Sequence, residues 1–253
     1  MAMKLARDTW LILQRQLTLM VRTPIWLAFG LAQPITYLLL FAPFLKSALG
    51  VNSYASAYRV YVPGLLVVIC LYGGMFAGFG LLAELRAGII ERARVTPVSR
   101  TALLLGRALR DVITLLVQAV VITVAALPFG VRLGLRELLL AYLLLALVAL
   151  MSTAISYDVT LLVRNEGALG PIINTVAQPV ALLAGVLLPL TIAPRALQRV
   201  AEWNPFAWAT NGMRALFDGR AGAPVVWQGL LIVGVLSVLT VLWSARLFTR
   251  TVR

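Results

Sequence analysis

Histidine is absent from this 253-residue chain, cysteine occurs once and lysine only at Lys4 and Lys46. Without histidine there is no Ser–His–Asp triad, no histidine general base and no His-Glu-x-x-His zinc site. The single Cys70 lies in an apolar run, so no disulfide can close within the chain. Asp and Glu together number nine and are scattered, which leaves no metal-ligand cluster. Neither lysine sits in a Gly-x-x-x-x-Gly-Lys-Ser/Thr stretch, so the chain lacks the loop that cradles nucleotide phosphates in P-loop ATPases. No catalytic residue and no enzyme activity of its own are expected. A solute moved uphill by this chain would draw its energy from a partner or an ion gradient.

Charge is also scarce: Asp, Glu, Lys and Arg make up 12% of the chain, while the AVILMFWYC set makes up 61%. Soluble domains run at about a quarter charged and half apolar, so a soluble protein is excluded. What is present instead is six long apolar runs, over residues 25–45, 60–83, 112–129, 138–163, 171–192 and 225–248. They are continuous and lack period-2 alternation, which indicates helices rather than barrel strands. Each is close to the roughly 20 residues that cross a bilayer. The expected fold is an all-α, multi-pass membrane protein with six transmembrane helices, occupying residues 25–253. No internal repeat is visible, which counts against transporter folds built from inverted repeats.

The net charge of +13 would suggest nucleic acid in a soluble protein. Here the positive residues sit in short loops and tails, where membrane topology accounts for them and no nucleic-acid partner is needed. With both termini on one side, that side holds 14 Lys and Arg: four in the N-terminal segment, six over residues 84–111, one over 158–170 and three in the tail. The other side holds 8. The bias places both termini in the cytoplasm.

Residues 1–24 carry Lys4, Arg7, Arg15 and Arg22 and have no apolar core followed by a cleavage site, so they do not read as a secretory signal. At 100° per residue, Trp10, Leu13, Leu17, Met20 and Val21 share one face, and Arg7, Asp8, Arg15 and Arg22 another. The pattern predicts an amphipathic helix in the membrane interface; an ordinary basic flank is the plainer alternative.

The segment 84–100 is unusual for a loop. Glu84, Gly88 and Glu91 recur at helical spacing, so one helical face is expected to carry them, with Ile89 and Ile90 alongside. Pro97 would stop that helix and Ser99 would cap the next at its N-terminus.

Here the residues resemble a known family. The string Gly88-Ile89-Ile90-Glu91-Arg92, followed by Thr96-Pro97-Val98-Ser99-Arg100, resembles the type-2 ABC exporter permeases of the drug-resistance, nodulation and polysaccharide-export kind. Asn204-Pro205-Phe206, with Arg214 and Gly219-Arg220 ahead of the last span, extends the resemblance to essentially the whole chain. It implies that residues 84–100 form a cytoplasmic coupling helix docked on a separate ATPase subunit, with Glu84, Gly88, Glu91, Arg92, Thr96, Pro97 and Arg100 as coupling residues. It also implies an external re-entrant segment over 194–220 marked by Asn204, Pro205 and Arg214. ATP and magnesium would bind the partner, in two copies, and the permease would pair with a second copy of itself in a bacterial plasma membrane. Glu91→Ala would then lower transport per ATP hydrolysed. The plainer alternatives are that Glu84 and Glu91 pair with neighbouring arginines on a wet face, that Pro97 is structural, and that Asn204 and Pro205 form an ordinary turn.

Polar residues within spans are costly and so informative. Gln33, Thr36 and Tyr37 align in the first span, and Asn174 and Gln178 in the fifth. In the resembling family, spans one, two and five line the path between two permease copies, which makes these five the candidate lining. Bonding between helices of one subunit is the alternative use. Gly74 and Gly78 form a small-xxx-small pair suited to close helix packing. Apolar walls with a few amides and hydroxyls suit an amphipathic or lipid-like cargo: a drug, lipid or glycolipid. Export of a polysaccharide is an alternative within the family. Outside it stand an ion-coupled antiporter, for which Asp158 is the one plausible protonatable group, and a non-transporting membrane scaffold.

Overall fold

A computed structural model describes residues 2–22, 30–40, 54–89, 99–131, 133–186 and 193–251. Among these there is no strand. The helices are α1 (Ala2–Arg22), α2 (Gly30–Leu40), α3 (Tyr54–Arg86), α4 (Arg100–Ala126), α5 (Leu135–Val163), α6 (Glu166–Leu183), α7 (Arg195–Ala201), α8 (Pro205–Phe217) and α9 (Pro224–Thr251). A short 3-10 turn, Leu127–Phe129, follows α4.

Among the described residues four helices, α3, α4, α5 and α9, are long and apolar enough to cross a membrane. The first expected span is described only over α2, and the remainder of 25–45 lies outside the described residues. The fifth expected span differs from its sequence reading. α6 begins at Glu166, capped by the Asn165 side chain, and ends at Leu183 rather than near residue 192. A turn through Gly185, whose φ of 65° is readily adopted only by glycine, stops it. At 18 residues α6 is about 27 Å long, slightly short of the roughly 30 Å hydrocarbon layer.

α3 and α5 form the centre, with α4 against both, α9 against α5, and α8 filling the space between α3, α5 and α9. Small residues set the closest approach. A Cβ on Gly74 would lie 2.5 Å from the Ser152 Cβ, and one on Gly78 would lie 2.6 Å from the Ser156 Oγ. The freed space lets the Ser156 hydroxyl accept from the Gly78 N–H at 3.0 Å and donate to the Met75 carbonyl. Gly74 and Gly78 thus serve helix packing, the usual role of such pairs where water supplies no driving force. Ser237 repeats the device, donating to the Leu147 carbonyl at 2.7 Å and joining α9 to α5.

Ser99 caps α4 as the sequence predicts, its Oγ accepting from the Ala102 N–H at 3.2 Å. The helix is 27 residues long, about 40 Å, so its first turns exceed the hydrocarbon layer. α1 docks along the first half of α4. Ile12 and the Thr9 carbonyl sit where a Gly106 Cβ would be, and the Thr114 hydroxyl lies 2.9 Å from the Met20 sulfur. α1 therefore has three faces: one on α4, an exposed apolar one with Met3, Trp10 and Val21, and one carrying Lys4, Arg15 and Arg22.

Candidate transport path and coupling site

The bundle has two polar ends. At one, α3 ends at Arg86 and Gly88 follows in a turn with φ 66°. This corrects the expectation of one helical face shared by Glu84 and Gly88: the positive φ breaks the helix between them and re-aims the chain. Glu91, Arg92, Thr96 and Pro97 lie outside the described residues.

Glu84 faces into the bundle. Its carboxylate pairs with Arg107 of α4, whose side chain is only 5% exposed, and accepts from the Gln16 amide of α1 at 3.3 Å. Asp111, one turn along α4, pairs with Arg110 and accepts from the Tyr157 hydroxyl of α5 at 2.5 Å. Asp8 of α1 accepts from the Ser99 N–H at 3.4 Å. Arg100 donates to the Thr249 carbonyl of α9 at 3.2 Å. The sequence reading allowed Glu84 an arginine partner, but on a wet surface; burial of Arg107 makes the pair part of the packing. Both margins of the 84–100 segment are thereby bonded to the same helix, at Gln16 and Asp8 of α1.

Midway along the bundle the predicted lining residues Gln33, Thr36, Tyr37, Asn174 and Gln178 are all exposed. Gln33 donates to the Tyr37 hydroxyl at 3.2 Å, and Tyr37 lies within electrostatic reach of Tyr61 and Tyr72. The Tyr72 hydroxyl of α3 donates to the Gln178 side-chain oxygen of α6 at 3.0 Å. Two bonded pairs, Gln33–Tyr37 on α2 and Tyr72–Gln178 between α3 and α6, thus stand near one another; the sequence reading missed Tyr72 because an isolated tyrosine in a 33-residue helix gives no pattern. Thr36 and Asn174 are exposed and satisfied by carbonyls of their own helices, Ala32 and Gly170. Phe76, also exposed and stacked on Phe79, adds an aromatic wall. Asp158 is half-buried in the last two turns of α5.

At the opposite end, Asn204 caps α8, with Pro205 as the first helical residue, the position where its missing N–H matters least. The Asn204 Oδ1 accepts from the Phe206 N–H at 3.0 Å while its amide donates to the Val180 carbonyl of α6 at 2.8 Å. Arg214 donates to the carbonyls of Gly185 at 2.6 Å, Val186 at 3.4 Å and Val60 at 3.4 Å. Burial pushes its guanidinium down to about 10, opposed by the nearby Asp218 carboxylate. A Cβ on Gly64 would fall 2.3 Å from the Val186 oxygen, so α3 also packs directly on this turn.

A packed helical bundle with a bonded polar segment at one end and an Asn-Pro helix at the other agrees with the comparison of this sequence with known families. The pattern describing the ABC-2 type transporter matches residues 7–217. The chain belongs to the ABC-2 type transporter family. Among relatives, a transport permease, ycf38, of Cyanophora paradoxa is 25% identical over 84% of this chain and 74% of its own length. The ycf38 permease of Porphyra purpurea is 26% identical over 82% and 72%. A daunorubicin resistance ABC transporter permease protein, DrrB1 of Streptomyces coeruleorubidus, is 22% identical over 79% and 71%. The family is one of membrane permeases of ABC transporters, and the long apolar helices agree with a multi-pass membrane protein.

Proposed function

We propose that this ABC-2 type permease is the membrane subunit of an ATP-driven exporter of amphipathic or lipid-like molecules. It crosses the membrane six times, with both termini in the cytoplasm, and two copies work with two ATPase subunits that bind ATP and magnesium. The observation that carries the reading is the face on which α2 and α6 expose Gln33, Tyr37, Asn174 and Gln178, with the half-buried Tyr72 of α3 bonded to Gln178. Amides left against lipid tails are costly, so a face that displays them at mid-helix calls for a second protein surface and a solvated path. A second copy of this chain supplies both. The amides and phenols would hold the polar part of a cargo, and Phe76 and the apolar faces beside them its hydrophobic part. The name of the DrrB1 relative supports a drug-like cargo.

In this reading, residues 84–100 dock on the ATPase at the cytoplasmic end. Glu84 acts from behind, through its bonds to Arg107 and Gln16, keeping the docked segment in register with α4 and α1. Gently solubilised protein from its native host is the test. An ATP-binding subunit should co-purify stoichiometrically and be lost when residues 84–100 are replaced by a flexible linker. A chain that purifies alone and yet moves solute without ATP would overturn the proposal in favour of ion coupling.

A further inference from the structure

α6 is the most lightly held of the long helices on the candidate path. It buries a single stripe, Leu169, Ile173, Ala177 and Ala181, and leaves most of its remaining residues exposed. Its two ends are fastened by different chemistry. At the end near Arg86 the polar fastening among the described residues is one ion pair, Arg86 Nη1 to Glu166 Oε2 at 2.6 Å, with both side chains more than half exposed, beside the buried Leu169. Exposed pairs of this kind are weak and screened by salt. At the other end three hydrogen bonds converge on α6 and the turn after it, from Asn204 to the Val180 carbonyl and from Arg214 to those of Gly185 and Val186, while a further bond from Arg214 to Val60 ties the same guanidinium to α3. Between the two fastenings two prolines interrupt the helix, Pro171 offering no N–H to the Gly167 carbonyl and Pro179 none to the Thr175 carbonyl, and the second lies where the anchored turn begins.

From this asymmetry we infer that α6 is a rocker. Asn204 and Arg214 are positioning residues that fix its far end as a pivot, and Arg86–Glu166 is a releasable catch at its other end. Arg86 is the last residue of α3, two residues beyond Glu84 and next to the segment proposed to dock on the ATPase. A displacement of that segment would part the catch and swing residues 166–178, carrying Asn174 and Gln178, while residues 180–186 stay in place. The Tyr72–Gln178 hydrogen bond would break in the same movement. The inference takes its purpose from the permease reading, but its test requires no ATPase.

The test uses the full chain in lipid nanodiscs, in a Cys70→Ala background, with labelled copies diluted among unlabelled ones. Nitroxide pairs at Ile172→Cys with Trp243→Cys, and at Leu182→Cys with Trp227→Cys, report the catch end and the pivot end. All four positions are exposed. Arg86→Glu should shift or broaden the first distance distribution by about 2 Å or more, the scale of helix shifts in switching proteins, and leave the second unchanged. Combining Arg86→Glu with Glu166→Arg should restore the first. Arg214→Lys, which keeps the charge but cannot span three carbonyls, should broaden the second. The inference falls if the double reversal fails to restore the catch end, if Arg214→Lys leaves the pivot end unaltered, or if either change disturbs both ends equally. Those failures leave ATP-driven transport untouched, whereas absence of an ATPase partner would sink the permease reading without altering these distances.

Discussion

Replacing Arg107 by methionine is the sharpest perturbation of the polar end of the bundle. Methionine keeps much of the side-chain volume and helix propensity, so packing loss is small. The electrostatic loss is large, because Glu84 is then left without its cation on a side chain only 23% exposed. Breaking a buried ion pair by removing one partner costs about 3–5 kcal/mol. The lower figure applies here, because Glu84 keeps the Gln16 amide and some water. A destabilisation of about 3 kcal/mol is therefore expected. Glu84→Gln should cost less, about 1–2 kcal/mol, because Arg107 remains within electrostatic reach of Asp111. The double variant should be more stable than the sum of the two losses predicts, since neither charge is then stranded. Equilibrium unfolding in mixed detergent micelles, followed by circular dichroism, measures all four corners of this cycle. If Arg107→Met lies within about 0.5 kcal/mol of the native chain and the cycle is additive, Glu84 is not held as described.

Three further outcomes follow from the geometry. Gly78→Val would push side-chain carbon into the Ser156 and Thr160 hydroxyls; α3 and α5 should fail to close, with loss of folded protein on size-exclusion chromatography. Gly106→Ala places a methyl against Ile12 and the Thr9 carbonyl, a cost of about 1–3 kcal/mol, and should free α1 to limited proteolysis before the bundle melts. Gln178→Leu removes the acceptor for Tyr72 from an exposed position, so thermal stability should hardly change while ATP-dependent export of an amphipathic dye falls several-fold.

The long helices were legible because each is a property of one continuous stretch. Apolar length located α3, α4, α5 and α9, Ser99 marked where α4 begins, and the spacing of Gly74 and Gly78 marked a close crossing of α3 and α5. What escaped the sequence depends on residues far apart in the chain. Tyr72 joins the candidate lining only because it reaches Gln178, 106 residues away. Arg107 reads as one more arginine in a basic segment until Glu84 and Gln16 are seen beside it. The early end of α6 was hidden for the same reason: apolar residues continue past Leu183, and only the turn at Gly185, bound by Arg214, stops the helix. Asn204 was singled out by motif, yet its second bond, to Val180, is a fact of packing and not of spacing.

The central claim is that this permease moves its cargo with energy from a separate ATPase. The most direct test is reconstitution in lipid vesicles with and without the co-purified ATP-binding subunit, following a fluorescent amphipathic dye. Directional dye movement is expected only when the subunit, ATP and magnesium are all present, and none on dissipating or imposing a proton gradient. Movement driven by a proton gradient in vesicles that hold the chain alone would contradict it.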